Sequence, residues 1–253
     1  RFNTITLDGK GGAWLGFYPD GSGTEADPYK GGFCHIDKDG NVDKVKTETG
    51  ASDPMFAQIW VRSIAIDQEG TVWAVAAGTN LEDNVGGVIW KWQTKNDEPT
   101  RYTGKEVLGD YLDGSKTTEV RVVSVGADGS LWFGTSADGV LKVDNPKLNA
   151  EGKMDVTAQY AKETGSWSAA NMNNVYSIDF WNDGTAYVGT SGGLLVLGKE
   201  PGEKDIIGGE TRETAQFIVE GKGTVNNGYF SIKSLKNTEG INKVDAEYGW
   251  MNK

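Results

Sequence analysis

Residues 120–143 read VRVVSVGADGSLWFGTSADGVLKV, and this stretch decides the architecture. An apolar, β-branched run is broken by an Asp-Gly pair. A Leu-Trp-Phe run follows, then a second Asp-Gly pair and another short apolar run. Short runs of this composition, punctuated by glycine turns, are strands rather than helices. The same order of features recurs as FNTITLDGKGGAWLG from Phe2, VRSIAIDQEGTVWAV from Val61 and VYSIDFWNDGTAYVG from Val175. The turn glycines Gly11, Gly70, Gly129 and Gly184 are 59, 59 and 55 residues apart. Three residues beyond each stands an aromatic: Trp14, Trp73, Trp132 or Tyr187. A second marker keeps the same period. It reads GGFCHID, GGVIWKW, DGVLKVD and GGLLVLG, with Gly32, Gly87, Gly139 and Gly193 spaced by 55, 52 and 54.

Two markers on one period define a repeat, and repeats of this length are read before anything else. The first apolar run of each unit is strand A, the aromatic lies on strand B, and the run after the second glycine is strand C. Strand D is expected at Asn41–Thr47, Thr100–Thr103, Asp155–Tyr160 and Ala215–Glu220. Four antiparallel strands per unit make a β-propeller blade. The expectation is an all-β chain with four recognisable four-stranded blades at about 1–57, 58–116, 117–171 and 172–221. Residues 222–253 then form a partial fifth blade or a closing tail, with a strand A at Tyr229–Leu235 in which Phe230 corresponds to Tyr176. The turn glycines are expected at positive φ, and the four aromatics as wedges buried between blades.

The repeats resemble those of the bacterial two-component regulator propellers, most closely in the third unit. They are also similar to repeats of virginiamycin B lyase-like proteins, which share a D-G-x-L-W-F core. The resemblance covers about residues 2–200. It implies an extracytoplasmic sensing or binding propeller, placed in the secreted, periplasmic or cell-surface space. The chain opens at Arg1 inside a strand, as expected of a processed or trimmed start. The lone strand A of blade one and the loss of the Gly-Gly marker after Lys222 predict a part of a larger or associating propeller. Further blades, self-association or a protein partner would close it.

Composition narrows the function. The 253 residues carry 36 glycines, and the formal net charge is −11 with a pI near 4.7. That field repels phosphate backbones, so nucleic acid is not an expected partner. No apolar run is long enough to span a membrane. Cys34 is the one cysteine and His35 the one histidine. They exclude a zinc cluster, a haem site and a Ser-His-Asp set built without His35. The histidine count also argues against the lyase activity that the second resemblance would imply. No catalytic or metal residues are assigned, and no cofactor is expected. The run Asp37-Lys-Asp39-Gly-Asn41-Val-Asp43 alternates oxygen donors as a calcium loop does, yet Gly40 is fourth rather than sixth, so a hairpin turn is the preferred reading.

The remaining site candidates come from equivalent positions. The second residues of the four strands A are Asn3, Arg62, Arg121 and Tyr176. Two matching arginines in an acidic chain suit an anionic group, or else pair with carboxylates between blades. Trp60, with Tyr18, Tyr29, Tyr111 and Trp167, is expected in a loop, where aromatics stack on sugars or grip a partner. The function read from these residues is a non-catalytic propeller binding a glycan, another small anionic ligand or a protein at its axial face. The alternative is a lyase or glycan-active hydrolase using carboxylates and a divalent metal.

Overall fold

The computed structural model describes residues 2–20, 30–43, 59–78, 86–92, 99–112, 118–161, 163–164, 166, 170–181, 184–197, 204–207, 229–235 and 244–249. The first sheet holds β1 (Phe2–Leu7), β2 (Ala13–Asp20), β3 (Lys30–Ile36) and β4 (Val42–Asp43). The second holds β5 (Ile59–Ile66), β6 (Val72–Gly78), β7 (Val88–Trp92) and β8 (Thr100–Thr103). The third holds β9 (Val120–Val125), β10 (Leu131–Thr135), β11 (Val140–Val143) and β12 (Ala158–Tyr160). The fourth holds β13 (Val175–Phe180), β14 (Ala186–Thr190), β15 (Gly193–Leu197) and β16 (Lys204–Ile207). A two-stranded sheet of β17 (Tyr229–Leu235) and β18 (Val244–Gly249) follows. Helix among the described residues is limited to α1 (Gly104–Leu108) and two short 3-10 turns. Each four-stranded sheet is a simple antiparallel meander, as a blade requires.

The expected outer strands need two corrections. β12 is shorter than the run Asp155–Tyr160, and β4 begins at Val42 within the run Asn41–Thr47, whose residues 44–47 lie outside the described residues. In the fourth sheet, the strand pairing with β15 is β16, well before Ala215–Glu220, which lies outside the described residues. The sequence places strand A of a fifth unit at Tyr229–Leu235, and β17 has those bounds.

One turn is used repeatedly. The N–H of Asp8, Asp37 and Asp67 donates to the carbonyl four residues on, at 2.9–3.0 Å. One carboxylate oxygen of each accepts the N–H groups two and four residues on. The residue at the third step is a glycine at positive φ: Gly11 (93°), Gly40 (83°) and Gly70 (81°). An aspartate bonding its own backbone ahead of such a glycine is the chemistry of an Asx-type turn. The Asp37 segment is thus the same turn as the two A–B turns. Its Asp39 carboxylate is 2.8 Å from the Lys38 ammonium.

The chain divides into two compact units: Arg1–Val123 with Ala150–Lys153, and Ser124–Asn149 with Met154–Lys253. In the first, Trp14 and Phe33 of blade one share a core with Val61, Ile64, Ala74, Trp90 and Trp92 of blade two. Trp14 and Trp92 meet edge to face, with ring centroids 4.6 Å apart. In the second, Trp132 stacks on Tyr160 at 5.6 Å and meets Phe180 edge-on at 5.4 Å. All four strand-B aromatics are buried, as wedges between blades should be.

Strands A are also stitched by hydroxyls. Thr6 Oγ1 donates to the Ile64 carbonyl (2.6 Å), Ser63 Oγ to that of Val123 (3.0 Å), and Ser124 Oγ to that of Ile178 (2.8 Å). Each acceptor is the fourth residue of the next strand A. The donor alternates between the fifth and third residues, two apart and therefore on one face of the strand.

Candidate functional site

The second residue of strand A is structurally special. Pairing of β1 with β2 slips between Phe2 and Thr4, that of β5 with β6 between Val61 and Ser63, and that of β13 with β14 between Val175 and Ser177. Asn3, Arg62 and Tyr176 are therefore the extra residues of β-bulges. A bulge bends the strand and re-aims the extra side chain. β17 does not repeat this, since its slip falls between Ile232 and Ser234 and Phe230 pairs regularly with Tyr248. The correspondence of Phe230 with Tyr176 fails at that level.

Three of the five predicted site residues come together at one carboxylate: Arg62 and Arg121 bond it, and Trp60 lies under Arg62. Arg62 Nη2 lies 2.8 Å and Arg121 Nε 3.0 Å from the same Glu119 oxygen. The Glu119 side chain is 9% exposed, and those of Arg62 and Arg121 are 20% and 22% exposed. Glu119 is held by a parallel bridge to Gly86, whose carbonyl accepts the Val120 N–H at 2.9 Å. The Arg62 guanidinium sits 3.7 Å over the Trp60 ring, a cation–π arrangement. Trp60 meets the half-exposed Tyr18 edge-on at 4.9 Å. Asn3 Nδ2 donates to the Val61 carbonyl at 2.8 Å, tying the first bulge to the second. Tyr176 belongs to the other unit, where its hydroxyl accepts from Asn174 at 3.1 Å.

Sequence reasoning placed Trp60 and Tyr18 in loops, whereas both lie in strands, Trp60 on β5 and Tyr18 on β2. The cause is that both strands run past the stretch the four repeats share, β5 by Ile59 and Trp60 at its start and β2 by Phe17 to Asp20 at its end, where the repeats offer no common marker. Tyr111 lies in a 3-10 turn. Tyr29 and Trp167 are outside the described residues. Glu119 was not singled out, although its position directly before β9 and two residues from Arg121 was a usable signal.

A second group was also missed. Opposite the strand-B tryptophan, strand C carries His35, Lys91 or Lys142 in the three tryptophan-bearing blades. Each lies over its indole: the rings of Trp14 and His35 are 4.8 Å apart, and the ammonium groups are 5.3 and 5.7 Å from the ring centroids. His35 Nε2 is also 2.9 Å from Asp8 Oδ2. Burial works to raise the Asp8 pKa, but hydrogen bonds from His35, Lys10 N–H and Gly12 N–H hold it below the usual carboxylate value. In blade two, the equivalent oxygen of Asp67 accepts the Trp73 indole N–H instead, at 2.9 Å. Asp8, Lys10, Trp14, His35, Asp67 and Glu69 line a cleft of about 600 Å³. The neighbouring Cys34 is buried, which pushes its thiol pKa up.

No protein-family model matches the chain, and no curated protein matches it. Solved structures do. The extracellular domain of the putative hybrid two component system BT3049 from B. thetaiotaomicron is similar at 13% identity and a TM-score of 0.51, over 81% of this chain and 28% of that one. The extracellular domain of the putative one component system BT4673 from the same organism gives 13% and 0.49, over 78% and 21%. PorZ, a bacterial surface component of the type-IX secretion system of Porphyromonas gingivalis, gives 17% and 0.47, over 77% and 25%. The chain spans about a quarter of the length of each. The resemblance of its repeats to two-component regulator propellers is thus matched in fold, and its four four-stranded sheets are β-propeller blades.

Proposed function

We propose that the protein is a non-catalytic, extracytoplasmic binding propeller that takes an anionic group, the carboxylate of an acidic glycan, at the bulged ends of its strands A. The supporting observation is the Arg62–Glu119–Arg121 cluster. Two guanidiniums converge on one carboxylate oxygen in a chain of net charge −11, a concentration of positive groups that suits a second carboxylate. Trp60 and Tyr18 flank it with aromatic surface suited to a sugar ring. The bulge at Arg62 supplies the aim, since it turns that side chain out of the regular pleat.

Titration calorimetry with oligogalacturonates against neutral oligosaccharides of equal length tests this. Selective binding of the acidic series is expected. Affinity should fall about tenfold or more in Arg62→Gln or Arg121→Gln, as loss of a charge-assisted contact implies. Equal binding of the neutral series, or variants that bind as the parent does, would reject it.

A second reading rests on the Asp8–His35 pair in its cleft. There the protein is a glycan-active hydrolase or lyase, with His35 carrying a proton and Asp8 orienting the ring. Turnover of polysaccharide that survives His35→Gln would eliminate this reading.

A further inference from the structure

We propose that the outer face of blade one is a docking face for a further propeller blade, one that presents a strand-B aromatic wedge. Phe2, Ile5 and Leu7 of β1 are 72%, 65% and 77% exposed. With Leu15 and Ile36 they form an apolar face. A hollow of about 470 Å³ lies over it, lined by Phe2, Asn3, Thr4, Ile5, Leu15 and Ile36.

The register identifies what this face is for. Ile5 pairs with Leu15 as Ile64 pairs with Ala74, and Ala13 pairs with Ile36 as Val72 pairs with Trp92. Phe2, Ile5, Leu7, Leu15 and Ile36 are therefore the counterparts of Val61, Ile64, Ile66, Ala74 and Trp92. In blade two that same face is where blade one docks, with Trp14 and Phe33 as the inserted wedge. The outer face of blade one repeats an interface already built in the molecule, one blade earlier.

The occupant follows from that continuity. It brings an aromatic at the Trp14 position of its strand B. It also brings a hydroxyl on its strand A, placed to donate to the Ile5 carbonyl as Thr6 donates to Ile64. Burying large apolar side chains is the main gain, at about 25 cal/mol per Å² of apolar surface. A contiguous exposed apolar patch of this kind marks an interaction surface. The proposal does not depend on the anion-binding reading, which rests on Arg62, Glu119 and Arg121.

The test joins a second copy of residues 1–59 ahead of the full chain, which keeps the natural spacing into strand A. A Leu7→Cys substitution in the host blade, in a Cys34→Ala background, reports on the face through its rate of maleimide labelling. Labelling is expected to be fast in the unextended chain and at least tenfold slower in the extended one. Trp14→Ala with Phe33→Ala in the added copy alone should restore the fast rate. Unchanged labelling in the extended chain overturns the proposal, as does an added copy that stays unfolded on an intact host. Slow labelling in an unextended chain that sediments as a dimer overturns it too, since the occupant is then a second copy of the chain.

Discussion

Gly16 shows how little room a blade interface leaves. A Cβ added there would stand 2.6 Å from both Thr4 Cγ2 and Val61 Cγ1, a collision between two blades. Gly16→Ala should destabilise the protein by about 1–3 kcal/mol, the usual cost of overpacking, read as a lower urea midpoint with unchanged m. Two aspartates carry opposite pH signatures. Burial holds the Asp179 pKa above the ordinary value, against one hydrogen bond from the Phe180 N–H. The folded state then binds more protons than the unfolded state, so this group's contribution falls as pH rises from the unfolded carboxyl pKa through the raised folded one. Asp179→Asn should therefore raise the melting temperature at pH 7 and flatten its fall above pH 4. Asp8 works the other way. Its lowered pKa contributes stability above the unfolded carboxyl pKa, which is lost as pH falls through the folded value. Asp8→Asn should blunt the loss on acidification, measured by the same melts.

At the scale of the element, the strand bulges and their partners carry the site. Glu119 holds two arginines that would otherwise repel one another. Glu119→Gln should cost about 1–3 kcal/mol, less than for a fully buried pair because both guanidiniums are partly exposed. Added chloride should recover part of the loss, which separates charge repulsion from a packing defect. The strands themselves were legible in the sequence because glycine turns and β-branched runs are local signals. The period of the markers gave strands A to C of each blade. Outer strands were legible in part: β8 has the expected bounds and β12 ends where expected, but β16 lies away from the expected run, since an edge strand has a weaker buried face to impose a pattern. The positions of Asn3, Arg62 and Arg121 were legible from alignment alone. The bulged geometry of Asn3 and Arg62 was not, because a bulge is set by cross-strand register rather than by any one residue. The Asp8–His35 contact joins a turn to a strand 27 residues away, and no spacing rule announces it.

For the molecule as a whole, the blades add up an all-β chain in which α1 spans five residues. A far-ultraviolet circular dichroism spectrum of strand type is expected, and a helix-dominated one would contradict the fold. The charge of −11 makes self-repulsion a whole-chain term. The melting temperature should rise by a few degrees as sodium chloride screens it over about one Debye length. The hydroxyl stitches between strands A have a consequence for how such a chain tolerates change. Thr6 and Ser124 donate from one position and Ser63 from another, yet all reach the fourth carbonyl of the next strand. A carbonyl belongs to the backbone and cannot be mutated away. The acceptor is thus permanent while the donor is free to move by two residues. Repeats held together in this way can drift apart in sequence without losing their alignment in space, because half of every fastening is written into the peptide bond itself.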